Sequence, residues 1–176
     1  NKKIKFSFPN LRGNHQIENA STSIASILEI KKLGYKISLK SINEGLKKTI
    51  WPGRLEKGYL KKIPVYLDGA HNIDGAIKLV NFFDKTDLDR WIIIGMLKNK
   101  ELMKYLEVIK KIIKGVIAIE IPGEKNSYKT SDIANVCKKL NIHCIEQKSI
   151  NKTNIFLTKK LKPKEIIISG SLYLVG

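Results

Sequence analysis

Arginine is scarce in this chain: of 33 basic residues only Arg12, Arg54 and Arg90 are arginines, although the formal net charge is +17. A lysine surface attracts phosphate without geometric selectivity, whereas readout of bases and backbone relies on the bidentate guanidinium fork. The lysines are also scattered from Lys2 to Lys164, and few of the aromatic residues, 7% of the chain, are interleaved with them. Nucleic acid is therefore not the expected main partner, and the surplus of Lys, Ile and Asn reads as compositional bias over a solvated surface. Cysteine is nearly absent too. Cys137 and Cys144 stand seven apart with no CxxC pattern and no second His/Cys pair. That excludes a disulfide framework and a zinc site, so no metal ligands are assigned, and it fits a reducing cytoplasm. No apolar run is long enough for a signal peptide or a membrane span, so no membrane partner is expected. The first residue is Asn1 rather than Met, which suggests a soluble piece of a longer protein. A nicotinamide-cofactor site would need GxGxxG after the first strand, and the sequence offers DGAHNIDG and GMLKNK instead.

What is present is periodicity. From 14 to 32 the apolar residues Ile17, Ala20, Ile24, Ile27 and Leu28 recur at helical spacing, and a shorter helix is predicted over 39–48 with Ser38 as its N-cap and Ile42 and Leu46 on one face. After Trp51 the pattern changes to short apolar runs suited to strands buried on both faces. Strands are predicted at 65–68, 91–95, 116–121, 142–145 and 165–169, with a lead-in strand near 54–60. Helices are predicted between them at 74–83, 100–113, 131–140 and 150–161. The clearest is the second of these, where Leu102, Leu106, Ile109 and Ile113 share a stripe and Lys104, Lys110 and Lys111 lie outside it. Repeated strand–helix alternation with short connections implies an α/β fold: a Rossmann-like, mainly parallel sheet with helices on both faces. In such sheets ligands sit at the carboxyl ends of the strands, where Asp68, Gly95 and Gly170 fall.

Two turns there can carry chemistry. In YLDGAHN, residues 66–72, Asp68 either accepts the hydroxyls of a ribose or satisfies turn amides, and Asn72 suits an N-cap. His71 is either a cleft residue or a first-turn histidine without chemistry. In WPGR, residues 51–54, Pro52 and Gly53 set the direction in which Arg54 leaves, toward a phosphate or base or simply into solvent. Upstream, His15 and Asn19 share one face near the start of the first helix, as caps or as ligand contacts.

Five segments, LRGNHQIENA (11–20), WPGRLE (51–56), YLDGAHN (66–72), GMLKNKE (95–101) and SGSLYLVG (169–176), occur in an order and spacing that resemble the folylpolyglutamate synthase and dihydrofolate synthase family, relatives of the Mur peptide ligases. The resemblance implies a cytoplasmic, monomeric ligase that uses ATP and Mg²⁺ to join L-glutamate to dihydropteroate or a reduced folate through an acyl phosphate. It implies that 1–49 is the helical tail of a central ATP-binding domain and 50–176 the Mur ligase C-terminal α/β domain, with a hinge near 49–51 and ATP between the two domains. No GxxxxGK[ST] phosphate loop occurs in the sequence, so that loop and the magnesium ligands are expected in an N-terminal domain, and this portion is not expected to turn over alone. By the same resemblance Asn19, Arg54 and Asp68 are nucleotide contacts, His71 is a catalytic candidate beside them, and Ser171 is a substrate contact.

Two other functions fit parts of the pattern. One is a different Mur-type amide ligase domain acting on a cell-wall precursor. The other is a non-catalytic basic α/β module that binds nucleic acid or a partner. Cys137, Cys144, His143 and Trp91 read as packing or strand-edge residues.

Overall fold

The computed structural model describes residues 4–83 and 89–176; Asn1 and Lys2, which entered the reading above, lie outside them. The chain forms two compact units, Asn1–Trp51 and Pro52–Gly176. The first holds α1 (Asn14–Lys32) and α2 (Leu39–Lys48), with the predicted boundaries. Ser38 caps α2 by accepting from the Ser41 amide, as its spacing indicated. The extended segment before α1 is tied to α2, since the Ser7 amide donates to Asn43 Oδ1 at 2.6 Å and the Asn10 amide donates to the Leu46 carbonyl. Only Gln16 and Ile42 are buried in these helices; in the apolar stripe of α1, Ala20, Ile24, Ile27 and Leu28 are half-buried and Ile17 is exposed.

The second unit is a six-stranded sheet in the order β1 (Glu56–Leu60), β2 (Ile63–Leu67), β6 (Glu165–Ser169), β3 (Arg90–Ile94), β4 (Gly115–Ala118), β5 (His143–Glu146). Strand β1 is antiparallel to β2 and every other pair is parallel, which is the mainly parallel Rossmann-like sheet that the alternation implied. Pro64 stands opposite Tyr59 in the β1 ladder, and because β2 pairs with β6 only from Val65 onward, no ladder bond on the β6 side needs its missing amide proton.

Chain order explains the layering. The steps from β2 to β3, β4 and β5 all run one way across the sheet, and the last step, from β5 to β6, runs back. With right-handed crossovers, the first three connecting helices must share a face and the fourth must take the other. The core divides in that way. Ala76 and Leu79 of α3 (Ile73–Phe82), Tyr105 and Leu106 of α4 (Leu102–Ile109), and Ile133 and Cys137 of α5 (Thr130–Lys139) pack with Ile92 and Ile94. On the opposite face, Leu157 packs with Trp91, Ile93 and Ile166. Leu157 opens the π-helical turn Leu157–Leu161 that follows α6 (Ile150–Phe156), so the helix expected over 150–161 is α-helical only in its first half. Strand β3 is buried along its whole length, and its side chains alternate between the two clusters. Each fully buried isoleucine contributes roughly 1.5–3 kcal/mol of apolar burial.

Several boundaries differ from the sequence-based ones, the strand expected over 116–121 ending at Ala118, and three of the differences have clear local reasons. The lead-in strand starts at Glu56, not 54, because Gly53 and Leu55 both take positive φ, 66° and 48°, which no strand residue adopts. The β2 strand begins earlier, at Ile63, because it also pairs with β1. The stretch expected as helix over 100–113 keeps α-helical form only over Leu102–Ile109, and its end tightens through an Ile112 amide to Ile109 carbonyl bond. A further short helix, α7 (Leu172–Val175), follows β6.

Candidate functional site at the carboxyl edge of the sheet

The loops that leave β2 and β6, together with the loop that enters β1, meet at the carboxyl edge of the sheet. The Gly69 amide donates to the Gly53 carbonyl at 2.8 Å, the Asp68 amide to Ile168, and the Gly170 amide to Ala70 at 2.9 Å. Gly53 sits at φ 66°, and a Cβ there would stand 2.8 Å from a Val175 methyl, so only glycine permits this turn. Gly170, at φ 109°, lets β6 approach the β3 loop so closely that a Cβ would lie 2.7 Å from the Gly95 carbonyl oxygen.

Asp68 holds this junction together. It is buried, Oδ2 accepts from the Leu55 amide at 2.9 Å, and Oδ1 accepts from the Ala70 amide at 2.8 Å. Leu55 is itself buried and held in a left-handed conformation, and the carboxylate secures that strained residue. The carboxylate thus satisfies turn amides, the structural alternative that the sequence left open, and a ligand hydroxyl would have to use its remaining lone pairs. Arg54 lies between the two pinned residues Gly53 and Leu55. Its backbone is fixed on both sides, while its exposed guanidinium makes no hydrogen bond or ion pair among the described residues. A fixed base under an unengaged bidentate cation suits an anionic ligand.

His71 follows the turn and is half-buried, with Nδ1 2.8 Å from the Gly69 carbonyl oxygen. A carbonyl only accepts, so Nδ1 carries the proton, and in the neutral ring Nε2 presents a lone pair. Asn72 then caps α3 by accepting from the Gly75 amide, as expected. Ser171 is buried and caps α7, its Oγ accepting from the Tyr173 amide at 3.2 Å. Its hydroxyl proton has no acceptor among the described residues.

Arg54, Asp68, His71 and Ser171 therefore sit on loops of one sheet edge. Asn19 belongs to the first unit, where its side-chain Nδ2 donates to the Oε1 of the buried Gln16 at 3.1 Å, one turn back along α1. A groove of about 540 Å³ in that unit is lined by Lys5, Lys40, Asn43 and Lys47, and contains none of the five residues. Two others, beneath the edge, are marked by no sequence motif. Tyr105 of α4 and Ser169 of β6 are buried and joined through their hydroxyls at 2.9 Å, and Ser169 Oγ donates to the Ala70 carbonyl at 3.1 Å. Burial pushes the Tyr105 phenol well above its ordinary pKa, so it stays protonated and able to donate.

The mainly parallel six-stranded sheet, with helices on both faces and polar loops at its carboxyl edge, defines an α/β domain of Rossmann-like fold. The family model described as "Dihydrofolate synthetase, C-terminal domain" matches residues 54–176, and the chain belongs to that family. It is 26% identical over 186 residues to a probable dihydrofolate synthetase of Schizosaccharomyces pombe, covering 97% of this chain and 43% of the relative. It is 31% identical over 175 residues to the dihydrofolate synthase/folylpolyglutamate synthase of Bacillus subtilis, covering 94% and 39%. The crystal structure of Mycobacterium tuberculosis folylpolyglutamate synthase, complexed with ADP and AMPPCP, superposes with a TM-score of 0.79 at 20% identity, over 97% of this chain and 41% of that one. The chain thus spans about two-fifths of the length of these relatives.

Proposed function

We propose that this chain is the C-terminal part of an ATP-dependent ligase that joins L-glutamate to dihydropteroate or a reduced folate. The observation that carries the reading is the family match, which starts at Arg54 and runs to the last residue. The likeness in fold to a folylpolyglutamate synthase complexed with ADP and AMPPCP supports a nucleotide as ligand.

The chemistry explains what such a site must supply. A carboxylate is a poor acyl donor because its oxygen is not expelled; its oxygen takes the terminal phosphoryl group of ATP, releasing ADP, and the glutamate amine then attacks the acyl carbon and expels phosphate as the amide forms. Negative charge gathers around the transferred group, so positioned cations and hydrogen-bond donors contribute much of the rate. At the carboxyl edge Arg54 offers a bidentate grip on the nucleotide, and Asp68, proposed as the contact to its ribose, fixes the loop from which Arg54 projects. His71 offers Nε2 as an acceptor for a proton or a ligand hydrogen, and Ser171 offers its hydroxyl proton to the acid substrate. For the first unit, Asn19 is proposed to pair with a nucleotide edge, the unit itself being the tail of a central ATP-binding domain. The residues here do not suit a resident Mg²⁺: no group of three or more His, Cys, Asp or Glu could hold a metal among the described residues, and both oxygens of Asp68 already accept amides. Magnesium ligands and the phosphate loop are assigned to an N-terminal domain of the complete protein.

The test is glutamate ligation by the complete protein, with dihydropteroate and reduced folates offered separately. ATP-dependent product is expected with one or both. Arg54→Ala should raise the KM for ATP by roughly tenfold, the loss of about 1–3 kcal/mol in charge-assisted hydrogen bonding. Wild-type ATP kinetics in that variant would remove the nucleotide assignment, and no ligation with any folate would remove the function.

A further inference from the structure

We infer that Tyr105 and Ser169 are positioning residues that set the geometry of His71 from beneath the sheet. This rests on the carboxyl edge being the reactive site. A chain of hydrogen bonds, forced in direction, links the two residues to the turn that carries His71. Ser169 has one hydroxyl proton, and it goes to the Ala70 carbonyl at 3.1 Å, because a carbonyl cannot donate. Its oxygen therefore accepts from Tyr105, 2.9 Å away, and the phenol is the source of the chain. Both residues are fully buried, so no water competes for these groups.

The Ala70 carbonyl receives a second bond, from the Gly170 amide at 2.9 Å. On the amide side, Ala70 donates to Asp68 Oδ1 at 2.8 Å. Ala70 is thus held at both of its peptide groups, and it stands directly between Gly69, whose carbonyl receives the proton of His71 Nδ1, and His71 itself. If the Ala70 carbonyl loses its side-chain donor, the Ala70–His71 peptide is held by the Gly170 amide alone, and the imidazole it carries is less firmly aimed at the Gly69 carbonyl. The tautomer that leaves Nε2 unprotonated is then no longer enforced. Helix α4, β6 and the loop after β2 are brought together here by residues 64 and 99 positions apart, which no sequence motif links.

The decisive experiment reads the ring rather than the reaction. In the complete protein labelled with ¹⁵N-histidine, the His71 signals are assigned by their loss in His71→Gln. Native His71 is expected to show a protonated Nδ1 and an unprotonated Nε2. Tyr105→Phe and Ser169→Ala are each expected to fold by circular dichroism, to show a mixed or reversed tautomer at His71, and to lower kcat by roughly tenfold, the scale of a misplaced catalytic group. Native His71 nitrogen shifts in either folded variant overturn the inference, whatever happens to the rate. If Tyr105→Phe does not fold, Ser169→Ala decides, since it removes the same link with a single oxygen. The tautomer shift also stands apart from the ligase reading: ligation may be absent while the shift is present, or the reverse.

Discussion

The two ends of the sheet each hold an arginine, and the two arginines have opposite fates. At the amino end Arg90 is 2% exposed, pairs through Nε with Glu165, donates from Nη1 to the Ile112 carbonyl at 3.0 Å and lies over the Phe83 ring. Glu165 is its direct neighbour in the β3–β6 register. At the carboxyl end Arg54 is exposed, its backbone anchored and its guanidinium unengaged among the described residues. The first arginine is consumed by the fold, and the second is held available by it. The difference teaches where function can reside in such a sheet: cations neutralised inside the structure stabilise it, whereas a cation mounted on a rigid loop at the carboxyl edge can meet a ligand.

Breaking the amino end should give the largest effect. Arg90→Ala leaves the Glu165 carboxylate in a nearly closed environment, and its expected cost is about 3–5 kcal/mol in urea denaturation. At a temperature where the variant is folded, its KM for ATP should match the wild type. A stability change under about 0.5 kcal/mol, or a selective rise in that KM, would erase the contrast between the two ends. Asp68 tests the boundary between the two roles, because it is buried like Arg90 yet supports the loop that carries Arg54. Asp68→Asn keeps one acceptor but turns an NH₂ group toward the second amide, so about 1–3 kcal/mol of stability should be lost together with ATP affinity. Loss of affinity with unchanged stability would mean that its turn bonds contribute little.

The fold was legible where the signal is periodic or repetitive. The α1 and α2 boundaries and strand β6 fall where spacing placed them, and the caps of Ser38 and Asn72 were visible as local chemistry. Legibility failed where the cause is distant in sequence. The start of β1 is set by Leu55 in a left-handed conformation, secured by a carboxylate 13 residues away, and no propensity marks a leucine for that state. The π-helical turn after Phe156 and the four-residue α7 are too short to have a period. At the site, Arg54 and the Asp68–His71 turn were legible because glycine and proline punctuate them. The pair Tyr105 and Ser169 was not, since they meet only where α4 packs on β6, 64 residues away, and at the amino end Arg90 and Glu165, 75 residues apart, meet only through the β3–β6 register.

The smallest expected effect sharpens the comparison most, because Ser171 combines both roles in one hydroxyl. As an acceptor it caps α7, a helix of only four residues, at a distance of 3.2 Å. A cap on so short an element should contribute no more than about 1 kcal/mol, so Ser171→Ala should lower the melting temperature only slightly. As a donor the hydroxyl has no acceptor among the described residues, although the residue is only 4% exposed, and this leaves its proton for a ligand at the carboxyl edge. Losing one such neutral hydrogen bond should raise the KM for the pterin or folate substrate by roughly fivefold, while the KM for ATP stays unchanged. Ser171→Thr keeps the donor and should restore the substrate KM even if packing against α7 suffers. Equal defects in the alanine and threonine variants would place Ser171 with Arg90, as a residue whose polarity is spent on the fold.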